Sequence, residues 1–388
     1  MITKSATNFG PFISSLKNFT THIDQEIFTV GSINTSDTNS IFGEKIDDPP
    51  IVTFYSSRGP LPNGARGVTF GVPSSAVIEN PGWYTSKKKI FEGTSCASPI
   101  AAGAIACLLS ALKANSMKYT PATIKMVLCN TAFLPKNEDR LSFGNGIIQI
   151  NSAFEYYLKN NKNYLSKIIV PQISVKNESN EKGIIIYKIQ NDQNIYDFCI
   201  NIENSNIKIP WILKSFPKEN EKYIKYSKTV ENNLFNIKID TKELKQGYQY
   251  YSEIHGFDPS NISVGPIFHI PITVIIPENL IKNSIKKEIF MKSTSIFRLI
   301  LNPESISQKC IVKITSEENG KIECEKVFEK ADIQKNCRDE KVTNGAGFLR
   351  SFYVNIQWER MFEICIYQLT RINDNSVLKC FLEILFEN

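Results

Sequence analysis

The sequence predicts an α/β domain, built on part of a doubly wound parallel sheet, followed by all-β sandwich-like domains. Three observations carry this. Short apolar runs of buried-strand length, Ile51 to Tyr55 and Val68 to Val72, precede a segment, Ser98 to Lys113, that is apolar on almost every face. Helical signals then continue to about residue 160 and stop. From about residue 166 onward, short runs rich in isoleucine, tyrosine and phenylalanine recur between polar turns, as in Gly183 to Ile189, Phe235 to Ile239, Ile296 to Leu301 and Phe362 to Leu369.

Taken in order, the apolar segment Ser98 to Lys113 predicts a helix buried through the middle of its domain. Thr120 and Pro121 supply a cap and a first-turn proline for the next helix, in which Ile124, Val127 and Leu128 recur at helical spacing. Gly144 and Gly146 mark a tight turn before a last helix, Ser152 to Lys159. The polar stretch Lys159 to Asn163 then closes the α/β part. The expected organisation is residues 1–160, a β-sandwich over 166–277, and a second, galactose-binding-like sandwich over 292–388, with a boundary near Pro277 to Lys292. Asn319-Gly320, between Ile311 to Ile314 and Ile322 to Cys324, predicts a hairpin.

Composition narrows the class. A chain of 388 residues with 42% hydrophobic content is long enough for two or three domains with cores of their own. The net charge of +6, from 45 basic and 39 acidic residues, is spread along the chain rather than gathered into a groove. Lys87-Lys88-Lys89 is the sharpest run and has no aromatic interleaving, so it reads as a solvated loop and not a nucleic-acid contact. Met1 to Ser5 show no basic leader with an apolar core, and no window reaches the length of a membrane span; the expectation is a cytoplasmic protein with no membrane partner. Nine cysteines, an odd set with no Cys-x-x-Cys pair and no Cys/His cluster, predict buried free thiols in a reducing compartment and no metal or other cofactor. Cys107, Cys199 and Cys365 fall inside apolar runs; Cys96 stands apart, beside a reactive position.

That position is in Gly93-Thr94-Ser95-Cys96-Ala97-Ser98-Pro99. The spacing sets Ser95 in the first turn of the long helix, where unpaired N–H groups face any oxyanion that forms, and Ser95 is the candidate nucleophile. Two further segments accompany it in order, Ser5-Ala6-Thr7-Asn8-Phe9-Gly10-Pro11 and Phe54-Tyr55-Ser56-Ser57-Arg58-Gly59-Pro60. Together the three resemble the subtilisin-like serine peptidases, with Asn8 on the position of the family's oxyanion-hole asparagine and Phe54 to Pro60 resembling its Ser-x-Arg-Gly-Pro stretch.

The resemblance narrows to the tripeptidyl-peptidase II family through Gly93 to Lys113, Gly144 to Ile150, Tyr250 to Asp258 and Gly265 to Ile275, and it covers nearly the whole chain. It implies a serine-type tripeptidyl aminopeptidase that removes tripeptides from the free amino termini of oligopeptides in cytosolic protein turnover, as part of a large homo-oligomer. Ser95 would attack the scissile carbonyl, while Asn8 and the Ser95 N–H hold the oxyanion. In that family the catalytic aspartate and histidine precede the oxyanion asparagine, and this chain begins seven residues before Asn8. The expectation is therefore a chain that lacks both and is inactive alone. Its three histidines, His22, His255 and His269, read as structural or solvent-facing residues. Two departures lie near the site: Thr7 replaces the usual glycine before the asparagine, and Val72-Pro73-Ser74 stands where Ala-Pro-Gly is usual. Two other readings stay open, a non-catalytic assembly or binding subunit and a half-enzyme complemented in trans by a missing amino-terminal half.

Overall fold

A computed structural model describes residues 1–16, 26–36, 50–77, 83, 90–136, 138–160, 165, 167–176, 181–188, 193–203, 209–280, 284–292, 296–302, 309–316, 322–328, 347–353, 362–368 and 377–387. The chain divides into two compact units. The first comprises residues 1–185, 193–243 and 251–273, and the second residues 186–192, 244–250 and 274–388.

The first unit opens with a small sheet. Strand β1 (Ile2–Ser5) pairs in parallel with β2 (Ile27–Asn34), which also pairs in parallel with β4 (Phe70–Pro73) and antiparallel with the short β3 (Ile51–Val52). A two-stranded ribbon follows, β5 (Ala76–Val77) with β6 (Ile90–Phe91). The strand at the centre, β2, is buried along Phe28 to Ile33, so the residues between apolar Phe28, Val30 and Ile33 are the uncharged Thr29, Gly31 and Ser32. The apolar run predicted as a strand from Ile51 to Tyr55 leaves the sheet after Val52, because residues 53–57 turn to meet the loop after β1.

Helix α1 (Thr94–Ala114) lays Thr94, Ala97, Ala101, Ile105, Leu108 and Leu112 against β1, β2, β4 and a later helix. Its other face overturns the expected burial on all sides. Ile100, Gly103, Ala106 and Cys107 are exposed, because no element among the described residues packs on them. Cys107 is thus an exposed thiol rather than a core residue. By length and composition α1, with a mean hydropathy of 1.8, is apolar enough to cross a membrane, although its contacts are those of a helix in an α/β domain.

Helix α2 (Pro121–Thr131) begins as its sequence dictates. The Thr120 hydroxyl accepts from the Thr123 N–H, the Thr123 hydroxyl accepts from the Thr120 N–H, and Pro121 occupies the first turn. A short α3 (Arg140–Phe143) is capped by Asp139, and α4 (Ile150–Lys159) packs on α1 and α2.

Beyond residue 170 the described elements are strands, apart from two 3₁₀ turns, Lys218–Lys222 and Ile262–Val264. One four-stranded sheet runs in the order β10 (Ile212–Phe216), β13 (Tyr248–Phe257), β14 (Phe268–Ile276), β8 (Ile184–Tyr187). A second runs β11 (Ile224–Tyr226), β12 (Leu234–Asp240), β9 (Ile195–Glu203), β7 (Gln172–Val175), with every pairing antiparallel. In β12 the buried Phe235, Ile237 and Ile239 alternate with exposed Asn236, Lys238 and Asp240, the period of a strand with one face in a core.

In the second unit, one sheet is ordered β15 (Glu278–Asn279), β17 (Ile296–Asn302), β21 (Phe362–Gln368), β19 (Ile322–Phe328). The other is ordered β16 (Ser284–Lys292), β22 (Val377–Glu387), β18 (Lys309–Ser316), β20 (Gly347–Tyr353). The hairpin expected across Asn319-Gly320 does not form: β18 and β19, which flank it, belong to different sheets. The dipeptide itself lies outside the described residues, as do His22 and Lys87 to Lys89.

Candidate active site

Three loops meet at the amino end of α1. Gly93, its cap, has φ 146°, a region that a side chain disfavours, and a Cβ there would stand 3.2 Å from the Ser95 Oγ and 3.4 Å from the Asn8 Nδ2. Glycine therefore leaves open a small volume that the serine hydroxyl and the asparagine amide both border. Ser95 itself is exposed.

The orientation of Asn8 is fixed from the helix side. The Thr94 N–H donates to Asn8 Oδ1 at 3.1 Å and the Thr94 hydroxyl donates to the same atom at 2.8 Å. A backbone N–H can only donate, so the atom facing it must be the oxygen, and the Nδ2 group is turned away toward Gly93 and Ser95. The Cys96 and Ala97 N–H groups are committed to the Gly93 carbonyl. The Ser95 N–H and the Asn8 Nδ2 have no hydrogen-bond partner among the described residues, which leaves two donors directed at one place.

Asn8 is held from behind by the Phe54 to Pro60 loop. Ser57 is fully buried; its Oγ shares a 2.7 Å hydrogen bond with Thr7 Oγ1 and accepts from the Phe9 N–H at 3.0 Å, while its own N–H donates to the Thr7 carbonyl at 3.1 Å. Gly10 N–H adds a bond to the Tyr55 carbonyl at 2.8 Å. Thr7, with φ 69°, adopts the left-handed conformation that a glycine would enter freely. The second departure, Ser74, is also absorbed: its hydroxyl joins those of Ser32 in β2, Thr53 and Tyr55 in one network, with Ser32 Oγ at 2.6 Å.

Neither His255 nor His269 bonds to Ser95 among the described residues. Both belong to a second polar cluster, centred on Glu253 of β13, that sequence reasoning missed. Glu253 is 1% exposed; its Oε1 accepts from Arg66 Nη1 at 2.8 Å and from the Tyr251 hydroxyl at 2.5 Å, and its Oε2 contacts His255 Nε2 at 2.6 Å and Arg140 Nη1 at 3.8 Å. Burial alone would raise this carboxyl, but the Arg66 charge and the hydrogen bond with His255 hold it well below the usual range. Burial, then the Arg66 charge, push His269 down to about 3, so its imidazole is neutral. Arg66 and Glu253 are 187 positions apart in the chain, and no local signal pairs them. A cavity of about 270 Å³ opens beside this cluster, lined by Arg66, Lys125, Cys129, Glu253, His255 and His269 among others; Ser95 and Asn8 do not line it. Among the described residues no group of three or more His, Cys, Asp or Glu is placed to hold a metal ion.

Residues 5–147 match the Subtilase family, and residues 171–275 match the first Ig-like domain of tripeptidyl-peptidase II. The tripeptidyl-peptidase 2 of Caenorhabditis elegans is 27% identical over a 402-residue alignment that covers 96% of this chain and 28% of that protein. The tripeptidyl-peptidase 2 of Arabidopsis thaliana is 32% identical over 248 residues, 58% of this chain and 18% of that protein. The crystal structure of tripeptidyl peptidase 2 shares the fold over 98% of this chain and 32% of its own, with a TM-score of 0.72 at 19% identity. The chain thus spans less than a third of the length of these relatives. It carries a subtilase-family segment followed by a tripeptidyl-peptidase II Ig-like domain, the arrangement of a subtilisin-like serine peptidase of that type.

Proposed function

We propose that this chain supplies the nucleophile and the oxyanion hole of a serine peptidase that releases tripeptides from the free amino termini of oligopeptides in cytosolic protein turnover, as part of a large homo-oligomer. The observation that carries the reading is the placement of Asn8, whose Oδ1 is tied down by Thr94 so that its Nδ2 faces the volume beside Ser95 Oγ. Ser95 Oγ attacks the scissile carbonyl carbon and gives its proton to a general base. The carbonyl oxygen, now an oxyanion, accepts from Asn8 Nδ2 and the Ser95 N–H. Collapse expels the amine of the shortened peptide, which takes the proton, and water then releases the tripeptide from the acyl-serine.

The base and its carboxylate partner belong, on this reading, to polypeptide that covers the exposed apolar face of α1 at Ile100, Gly103, Ala106 and Cys107. That face supports the reading because a helix apolar on all sides is otherwise a liability in water. The test is a fluorophosphonate probe on the native protein from its source cells. Labelling at Ser95, lost together with peptidase activity in Ser95→Ala, is the expected result; in enzymes of this chemistry loss of the nucleophile costs roughly 10⁶ in turnover. Tripeptide release that persists in Ser95→Ala would remove the assignment.

A further inference from the structure

We infer that Ser57 is a positioning residue for the oxyanion hole, because its buried hydroxyl clasps the residues on both sides of Asn8 and holds Thr7 in a backbone conformation that threonine disfavours. The inference rests on the reaction proposed for Ser95 and names a further residue on which that reaction depends.

The geometry is specific. A hydroxyl carries one proton and two lone pairs, and Ser57 uses them on Thr7 Oγ1 at 2.7 Å and on the Phe9 N–H at 3.0 Å, while its backbone N–H reaches the Thr7 carbonyl at 3.1 Å. Asn8 sits between these anchors, and its side chain is pinned from the opposite side by Thr94. A threonine at φ 69° stays there only where its surroundings over-determine it. Here they do so through a bond that glycine, having no side chain, could not make. The serine hydroxyl thus stands in for the conformational freedom that a glycine at position 7 would bring. Ser57 touches neither substrate nor Ser95, so it acts on the reaction through the aim of Asn8 Nδ2.

An oxyanion donor matters most when charge develops on the substrate oxygen, so a loosened Asn8 should lower kcat and leave KM nearly unchanged. Loss of an entire oxyanion-hole donor costs about 10² to 10³, and misplacement of about 1 Å can cost about 10²-fold. The expectation for Ser57→Ala in the full-length native peptidase is a fall in kcat of about 10- to 100-fold. KM should stay within about twofold, and the second-order rate of fluorophosphonate inactivation should fall in parallel. The double variant Thr7→Gly with Ser57→Ala should recover part of the loss, since glycine needs no restraint at φ 69°, though the bond from the Phe9 N–H to Ser57 is still lost.

Melting temperature and KM, measured on the same preparations, identify a variant that has merely misfolded, because that defect would not be repaired by glycine at position 7. If Ser57→Ala keeps wild-type kcat and inactivation rate while Ser95→Ala is dead, the positioning role is wrong and the peptidase reading stands. The same holds if kcat falls but glycine at position 7 restores nothing. If Ser95→Ala stays active, the peptidase reading itself fails.

Discussion

The two polar clusters of the first unit, one part-buried with Asn8 itself exposed and one fully buried around Glu253, satisfy their groups in opposite ways. Around Asn8 the groups are neutral hydroxyls, an amide and backbone N–H donors, none of which titrates in the physiological range. Around Glu253 a carboxylate that is 1% exposed is satisfied by two arginines, a tyrosine and a histidine. Burying neutral groups costs little once each has a partner, and the arrangement is indifferent to pH. Burying a charge costs several kcal/mol, and the compensation is lost when any one partner leaves. A site that must aim an amide favours the first solution. A junction between segments far apart in sequence tolerates the second.

The sharpest way to break the comparison is Glu253→Ala. Removing the carboxylate leaves Arg66, 5% exposed, without its hydrogen-bonded counter-charge and beside Arg140. A loss of about 3 to 5 kcal/mol is expected, the usual range for breaking a buried pair from one side. Urea unfolding followed by the fluorescence of Trp211, which is buried against the Phe268 ring at 5.0 Å in the same unit, reads it directly. A loss under about 1 kcal/mol would mean that the cluster is better hydrated than its burial implies.

Acidification probes the same cluster without mutation. His269 is neutral in the folded chain down to about pH 3, whereas an unfolded histidine takes up its proton near 6.5. Between those values the unfolded chain binds more protons, so stability falls as pH falls, by at most about 1.4 kcal/mol per pH unit from this group. Glu253 adds to the trend at lower pH. Its folded value is depressed, so its contribution is complete above the unfolded carboxylate value and is lost as pH falls through the folded one. Urea midpoints measured from pH 8 to pH 4 should decline, and His269→Gln should flatten the part above the carboxylate range. An unchanged slope in that variant would assign the decline elsewhere.

What could be read in the sequence divides along the same line. Asn8 was assigned through the resemblance of its segment to a known family, whereas Ser95 in its helix-start motif, the capping of α2 by Thr120 and the change to strand period after residue 166 were legible directly. The Glu253 cluster was not, because Arg66, Arg140, Tyr251, Glu253 and His255 come from separate segments and are united only by packing. Two local signals misled for a related reason. The uniform apolarity of α1 predicts burial without naming a covering element, and Asn319-Gly320 expresses a turn preference that does not say which strands pair, while β18 and β19 on either side pair with other strands. Thr7 lay between these cases. Its departure from glycine was visible, but its compensation by Ser57, fifty residues away, became visible only in the fold.

The finest test of the neutral cluster is Thr7→Gly with Ser57 intact, where opposing terms nearly cancel. Glycine relieves a left-handed threonine, worth roughly 1 to 2 kcal/mol. It also widens the unfolded ensemble, at a cost of roughly 0.4 to 1 kcal/mol, and removes the hydroxyl that bonds to Ser57, about 1 kcal/mol. The net change in stability should therefore lie within about 1 kcal/mol of zero, against the 3 to 5 kcal/mol expected when the charged cluster is broken. Chemical denaturation of the two variants side by side checks the contrast. A large destabilisation in Thr7→Gly would show that the hydroxyl pair carries more than the geometry of Asn8, and that the neutral cluster, like the charged one, holds the fold as well as the site.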